Sequence, residues 1–323
     1  MRDRIKRKFR KQGISGVLYA TVRRIVRFVL CVDPITRICR KIKIKLLRLY
    51  LRKRYDYVIQ KYKNYVPQRT ENYLLDNTGV VWSMWWQGEE NAPETVKLCL
   101  ASIRKHCGVH KFVIITKDNL HEYLDLPEHI TSKVEAGYIS FTHLSDIIRV
   151  NLLAKYGGLW LDSAMFLAND LPDEVFATEY YTCKYIQSKY NVRVPKCKWV
   201  IGIFGARRKS CLFCFIAEMF SEYLKTHNKF LDFYLTDQIL VTAFYNIPEV
   251  YNEWEKIPYN NPEWFSLYEE CKDGKEWNPE FFAELASSTT IHRLTYKSEY
   301  DKRTKDGKET FYAHLLAEYG ITE

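Results

Sequence analysis

Acidic residues are nearly missing from the first 54 positions, where only Asp3 and Asp33 offset 19 Lys and Arg. The remaining 269 residues reverse the balance, with 37 acidic and 30 basic side chains. A core of that sign is not an evident nucleic-acid binder, because phosphate recognition needs the basic groups on the folded surface itself. Long apolar runs are also missing: no uninterrupted stretch approaches the ~20 residues that cross a bilayer. Neither a secretory signal nor a disulfide framework is visible, since the nine cysteines are odd in number and irregularly spaced. Cys211 and Cys214 form a CxxC, but in an apolar helical stretch with no second pair and no nearby His, and are read as a buried structural pair. No internal repeat or low-complexity block is present. What is there is 323 residues, 47% hydrophobic, enough to bury one large α/β core. Aromatics make up 15%, with 24 Tyr and 8 Trp, a content suited to stacking on sugars or bases, although most of these rings belong to the core.

The basic arm, residues 1–54, has helical periodicity. Ile14, Val17, Leu18, Val22, Ile25, Phe28, Val29 and Val32 recur on one face while Arg23, Arg24 and Arg27 fall largely on the other. A second basic segment puts Ile42, Leu46, Leu49 and Tyr50 on an apolar stripe. Such segments lie in a membrane interface, and anionic lipid attracts them by roughly 1 kcal/mol per Lys or Arg. The expectation is peripheral attachment to an anionic membrane surface on its cytoplasmic, inner face. Docking of these helices on the core, or a basic tail gripping phosphate, are the alternatives. A Tyr- and Lys-rich connector, 55–79, leads to a core over 80–323.

The core pattern alternates. Val80–Trp86 reads as a buried strand, Pro93 opens a helix with Val96, Leu100 and Ile103 on one face, and Lys111–Thr116 reads as a second strand. Thr142 is placed to cap a helix running to about Lys155, ended by Gly157 and Gly158 ahead of a strand that delivers Asp162 at its carboxyl end. Trp199–Ala206 reads as a further strand, and helices follow at Cys211–Leu224 and Leu235–Phe244. Strand, helix, strand alternation predicts an α/β fold with a mostly parallel sheet.

The segment SDIIRVNLLAKYGGLWLD, from Ser145 to Asp162, resembles the donor-site signature of the capsular polysaccharide synthesis branch of glycosyltransferase family 32. WSMWWQGEENAPETV, WVIGIFGARR, TDQILV and IHRLTYK follow the motif order of that bacterial branch, so the resemblance covers about 80–297. It implies a GT-A type, Rossmann-like nucleotide-sugar-binding core. It also implies a nucleotide-sugar donor contacted by Ser145, Asp146, Arg149, Gly157 and Gly158, and retention of anomeric configuration. Asp146 and Arg149, three apart, share a helix face, so carboxylate and guanidinium can point together at sugar hydroxyls; otherwise they are an intrahelical ion pair worth about 0.3 kcal/mol. Asp162 is the first residue of an Asp-x-Asp motif that binds Mn²⁺ or Mg²⁺ against a diphosphate, but Ala164 stands where the second carboxylate belongs. A metal would then be held by Asp162, the diphosphate, water and another residue, or be held weakly. His292 is at the position where the resemblance implies a metal or diphosphate contact, the alternative being a loop histidine, and Lys297 is a phosphate candidate or a solvated lysine. Asp237 is either the carboxylate beside the anomeric carbon or a first-turn helix acid. Trp85 and Trp86 are candidate donor-pocket rings, and Trp254 and Trp264 candidate acceptor rings.

The function so predicted is sugar transfer from a nucleotide donor to an oligosaccharide or lipid-linked acceptor in surface polysaccharide synthesis. A protein-glycosylating transferase is the second enzyme reading. A non-catalytic membrane or nucleic-acid binder on a decayed transferase fold is the third, with the missing second Asp as its support.

Overall fold

The computed structural model describes residues 34–67, 79–185 and 198–321. The chain divides into two units, 1–54 and 55–323. In the first, helix α1 (Pro34–Arg54) ends on Arg52, Lys53 and Arg54, cations that complement the carboxyl end of its dipole. Ile42 and Leu46 are 52% and 59% exposed, and Leu49 and Tyr50 are exposed with them, whereas Leu47 and Leu51 are buried. The helix expected over 14–32 lies outside the described residues. Among the described residues no helix is long and apolar enough to cross a membrane.

The second unit opens with helix α2 (Asp56–Lys63), so part of the expected connector is helical and buries Val58, Ile59 and Tyr62. Strand β1 (Val81–Met84), helix α3 (Glu94–His106) and strand β2 (Phe112–Ile115) come next. Helices α4 (Leu120–Tyr123), α5 (Glu128–Glu135) and α6 (Phe141–Lys155) lead to strands β3 (Gly158–Leu161) and β4 (Met165–Leu167). Helix α7 (Glu174–Ala177) and strands β5 (Tyr180–Tyr181) and β6 (Ile203–Ala206) are followed by helices α8 (Cys211–Thr226), α9 (Leu235–Asn246), α10 (Pro248–Glu255), α11 (Ser266–Lys272) and α12 (Pro279–Ser288). Strand β7 (Ile291–Arg293) and helix α13 (Phe311–Glu318) complete the described elements.

The sheet order is β2-β1-β3-β6-β5. Strands β2, β1 and β3 are parallel, β6 is antiparallel to β3, and β5 is antiparallel to β6, so β6 alone runs against the other four. The mostly parallel sheet expected from the sequence is therefore present. All four residues of β1 and all four of β3 are buried, as strands covered on both faces require. Helix α6 starts two residues earlier than expected, because Ser140 and not Thr142 caps it: the Ser140 hydroxyl accepts from the His143 amide. It packs against α8, and α2 closes on the same helix through Lys61 and Tyr62, which both bond Glu218 at 2.6 and 2.9 Å.

The turn between α6 and β3 needs both glycines. Gly158 has φ +92°, and a Cβ there would sit 2.2 Å from the Val80 carbonyl oxygen; at Gly157, with φ +72°, it would sit 2.5 Å from the Arg208 amide. Close approach of β1 and β3 at Gly158 thus fixes where β3 begins and, through the strand, where Asp162 emerges. The stretch Trp199–Ala206, expected as one strand, is a turn closed by a Val200–Ile203 bridge and then β6. Beside the sheet, β4 and β7 form a two-stranded antiparallel ribbon that aligns Met165 with Arg293. The six described cysteines are free thiols, Cys211 buried and Cys214 half-buried.

Candidate active site

A cleft of about 580 Å³ opens where β1 and β3 end and where α6 and α9 begin. That is the carboxyl edge of the parallel strands, the usual ligand position in open α/β sheets. Trp85, Trp86, Ser145, Asp146, Arg149, Asp162, Asp237 and Lys297 all line it, although they span more than 200 positions. Gly157, Gly158 and His292 do not; the glycines act through the turn they allow.

Arg149 organises the floor. It is 2% exposed and donates from Nη1 to Asp146 Oδ1 at 2.8 Å and from Nη2 to Asp162 Oδ1 at 2.7 Å. Its guanidinium lies 4.9 Å from the Trp160 ring centre, and the Trp160 indole N–H donates to the same Asp162 oxygen at 2.8 Å. Asp146, 8% exposed, uses its second oxygen to accept from the Thr236 hydroxyl at 2.6 Å. Burial pushes the Asp146 carboxyl up, and Arg149 and Thr236 oppose that push. The pair is therefore not the exposed intrahelical pair that its spacing alone allowed.

Asp162 is the accessible member, with a side chain 39% exposed. Its backbone N–H donates to the Gly202 carbonyl at 2.8 Å, and a Cβ on Gly202 would meet Asp162 Oδ2 at 2.5 Å. Only glycine at 202 leaves that oxygen its place. Asp237, nearly buried at the start of α9, accepts from the Trp199 indole N–H at 2.9 Å. Burial raises its carboxyl to about 7, helped by the nearby Asp146 charge and opposed by the Trp199 bond. A carboxyl group titrating near neutrality in a cleft is a candidate for chemistry.

His292 is wholly buried on β7, its Nε2 2.9 Å from the Thr289 carbonyl oxygen, and burial drives its pKa down to about 4. Strand alternation turns it inward and its neighbour Arg293 outward into the cleft. Trp254 is also wholly buried, donating to the Lys198 carbonyl, and Trp264 is a cleft wall with little exposure. The rings exposed at the cleft mouth are instead Phe141, Phe233, Tyr234 and Tyr296. Tyr296 meets Trp85 edge-on at 5.3 Å and Phe141 lies 6.0 Å from Trp86. The Trp85 indole N–H is buried without a partner and borders the cleft. Thr236 and Arg293 stand inside motifs already visible in the sequence, TDQILV and IHRLTYK, next to residues singled out there. Gly202, Trp160 and Tyr296 also lie inside quoted motifs, whereas Phe141, Phe233 and Tyr234 carried no such signal.

A divalent cation wants several oxygen ligands. In this cleft both Asp146 oxygens are engaged, Asp162 Oδ1 takes two donors, Ala164 has none to give, and His292 is elsewhere. Among the described residues no group of three or more His, Cys, Asp or Glu is placed to hold a metal ion. With only Asp162 Oδ2 and one Asp237 oxygen left among the cleft carboxylates described, the donor set does not fit a divalent cation held by the protein alone.

Fold, cleft and motif order together define the class, the glycosyltransferases. The chain belongs to the capsular polysaccharide synthesis protein family, whose model matches residues 30–315. It is 28% identical over 102 residues to the O-glycosyltransferase braB of Annulohypoxylon truncatum, a match covering 29% of this chain and 24% of that protein. The chain thus spans about a quarter of that relative. Among solved structures the PaToxG glycosyltransferase is similar at 10% identity and a TM-score of 0.37, over 78% of this chain and 100% of that one, a likeness too distant to argue from.

Proposed function

We propose that the cleft binds a nucleotide sugar in a GT-A type manner and transfers the sugar to an oligosaccharide or lipid-linked acceptor during surface polysaccharide synthesis. The observation that carries this reading is the Asp146–Arg149–Asp162 bridge, which immobilises one carboxylate with its second oxygen towards the cleft. A preorganised acceptor of that kind takes hydrogen bonds from ribose or sugar hydroxyls without reorganising. Trp85 and Trp86 stack on the base or sugar, and the unpartnered Trp85 indole N–H supplies a directional donor. As the C1–O bond breaks, its electron pair leaves on the diphosphate, and Asp237 in its ionised form faces the positive charge that develops on C1. The acceptor hydroxyl then bonds C1 and its proton passes to the departing phosphate oxygen, a course that retains configuration. Phe141, Phe233, Tyr234 and Tyr296 offer the acceptor flat faces at the mouth.

The exposed stripe of α1, set among Lys and Arg, supports attachment to an anionic membrane surface at the cytoplasmic face. Nothing in the core's charge supports a nucleic-acid partner. Titration of the purified protein with a panel of nucleotide sugars, followed by assay of sugar release, tests the reading: one nucleotide should bind far better than the rest. Equal indifference to every nucleotide sugar would refute it, as would an Asp162→Asn variant that binds and turns over like the parent.

A further inference from the structure

The charged side chains that line the cleft, among the described residues, are Asp146, Arg149, Asp162, Asp237, Arg293 and Lys297. Arg149 is already consumed by two carboxylates, so its charge is not available to a ligand. Without Arg293 and Lys297 the lining would be net negative, a poor host for a diphosphate. Among the described residues neither of these two is ion-paired. Arg293 extends from the solvent-facing side of β7, and the Lys297 ammonium lies 5.8 Å from the Tyr296 ring centre.

Their position is as telling as their charge. Arg293 pairs with Met165 across the ribbon, and the next residue, Leu294, donates its amide to the Ala164 carbonyl at 2.9 Å. Arg293 therefore stands next to Ala164, the place where a second motif carboxylate would have drawn a metal to the diphosphate, and Lys297 lines the same cleft. A guanidinium offers a planar fork of donors that matches phosphate oxygens, and an ammonium adds a mobile point charge.

We propose that Arg293 and Lys297 grip the donor diphosphate directly and take the place of a divalent cation. This rests on the nucleotide-sugar reading above. Loss of the second carboxylate and presence of two unpaired cations are then one exchange: a site that attracts metal has become a site that attracts phosphate.

The test is binding of UDP, GDP, CDP and ADP to the full chain, measured by calorimetry with EDTA and again with Mn²⁺. The preferred diphosphate should bind equally well in both. Arg293→Gln and Lys297→Gln should each weaken it by about tenfold or more, the scale of losing one charged hydrogen bond, while the corresponding monophosphate loses less. Adding Ala164→Asp to the double variant should make the remaining binding depend on Mn²⁺. Binding by the parent only when Mn²⁺ is present, or a double variant that binds as the parent does, overturns the exchange and leaves the donor reading standing. Failure of all four nucleotides with and without Mn²⁺ overturns the donor reading and this inference with it.

Discussion

Replacing Arg149 with alanine strands a buried carboxylate. Asp146 keeps the Thr236 hydroxyl but loses the cation that most opposes its burial, and Asp162 loses one of the two donors that fix its rotamer. Breaking one partner of a buried ion pair costs about 3–5 kcal/mol. In a unit of this size each kcal/mol moves the melting temperature by about 2–4 °C, so Arg149→Ala should melt roughly 6–20 °C below the parent. The loss should also depend on pH. The Asp146 carboxyl is already held above its ordinary value, and removing Arg149 raises it further. The folded form then keeps a proton that the unfolded chain has released, and stability falls as pH rises. The variant should accordingly lie closer to the parent at pH 5 than at pH 8. Adding Asp146→Asn removes the stranded charge and should return a good part of the stability, a coupling measurable in a double-mutant cycle by calorimetry. Activity should not return with it, because Asp162 is still unheld. A melting shift under about 1 kcal/mol for Arg149→Ala, within the range of exposed pairs, would refute the buried-bridge argument, and recovery of full turnover in the double variant would make the bridge purely structural.

Asp237→Asn tests the raised carboxyl: with a folded value of about 7 against 3.8, the parent loses up to about 4 kcal/mol between pH 4 and pH 7 as its carboxyl is forced to ionise. The Asn variant should lack that slope, and parallel pH–melting curves for the two proteins would show that Asp237 ionises normally. Gly158→Ala should cost about 3 kcal/mol or more in urea unfolding, since positive φ and a carbonyl 2.2 Å from the new Cβ both oppose it; parent-like stability would mean that the turn is looser than described. Ile42→Asp with Leu46→Asp should lower partition onto anionic vesicles by about tenfold or more, from the loss of two exposed apolar contacts, without changing sugar turnover; unchanged partition would remove α1 from the membrane account. Phe233→Ala and Tyr234→Ala should raise the KM for acceptor more than that for donor, and an equal effect on both would move these rings out of the acceptor path.

The part of the site legible in the sequence was the part built from short-range pattern. Helix α6, the Gly-Gly turn and β3 follow one another within a score of residues, so periodicity and turn chemistry located Asp146, Arg149 and Asp162 correctly on their elements. That Arg149 reaches both carboxylates was not legible, because Asp162 lies a turn and a strand away and only the packing of β3 beside α6 brings it within 2.7 Å. His292 and Arg293 exchanged places for a simple reason. In IHR the periodicity of a strand decides which of two neighbours faces inward, and a segment read as loop has no such periodicity. Trp199–Ala206 misled differently: an apolar run does not distinguish strand from the turn that carries the Gly202 carbonyl to the Asp162 amide. The rings expected to meet the acceptor, Trp254 and Trp264, are buried, where apolar area favours them, and smaller aromatics are left at the cleft mouth.

The β4–β7 ribbon joins Met165 to Arg293. Synthesis proceeds from the amino end at about 5–20 residues per second, so the three cleft aspartates have emerged well before Arg293 and Lys297. Until the ribbon closes, the nascent cleft has its acids and Arg149 but a surplus of negative charge, which on the proposed reading would repel a diphosphate. If Arg293 and Lys297 grip the donor as proposed, capture is deferred to the end of folding: a chain stalled before residue 290 would carry most of the cleft lining and lack both cations.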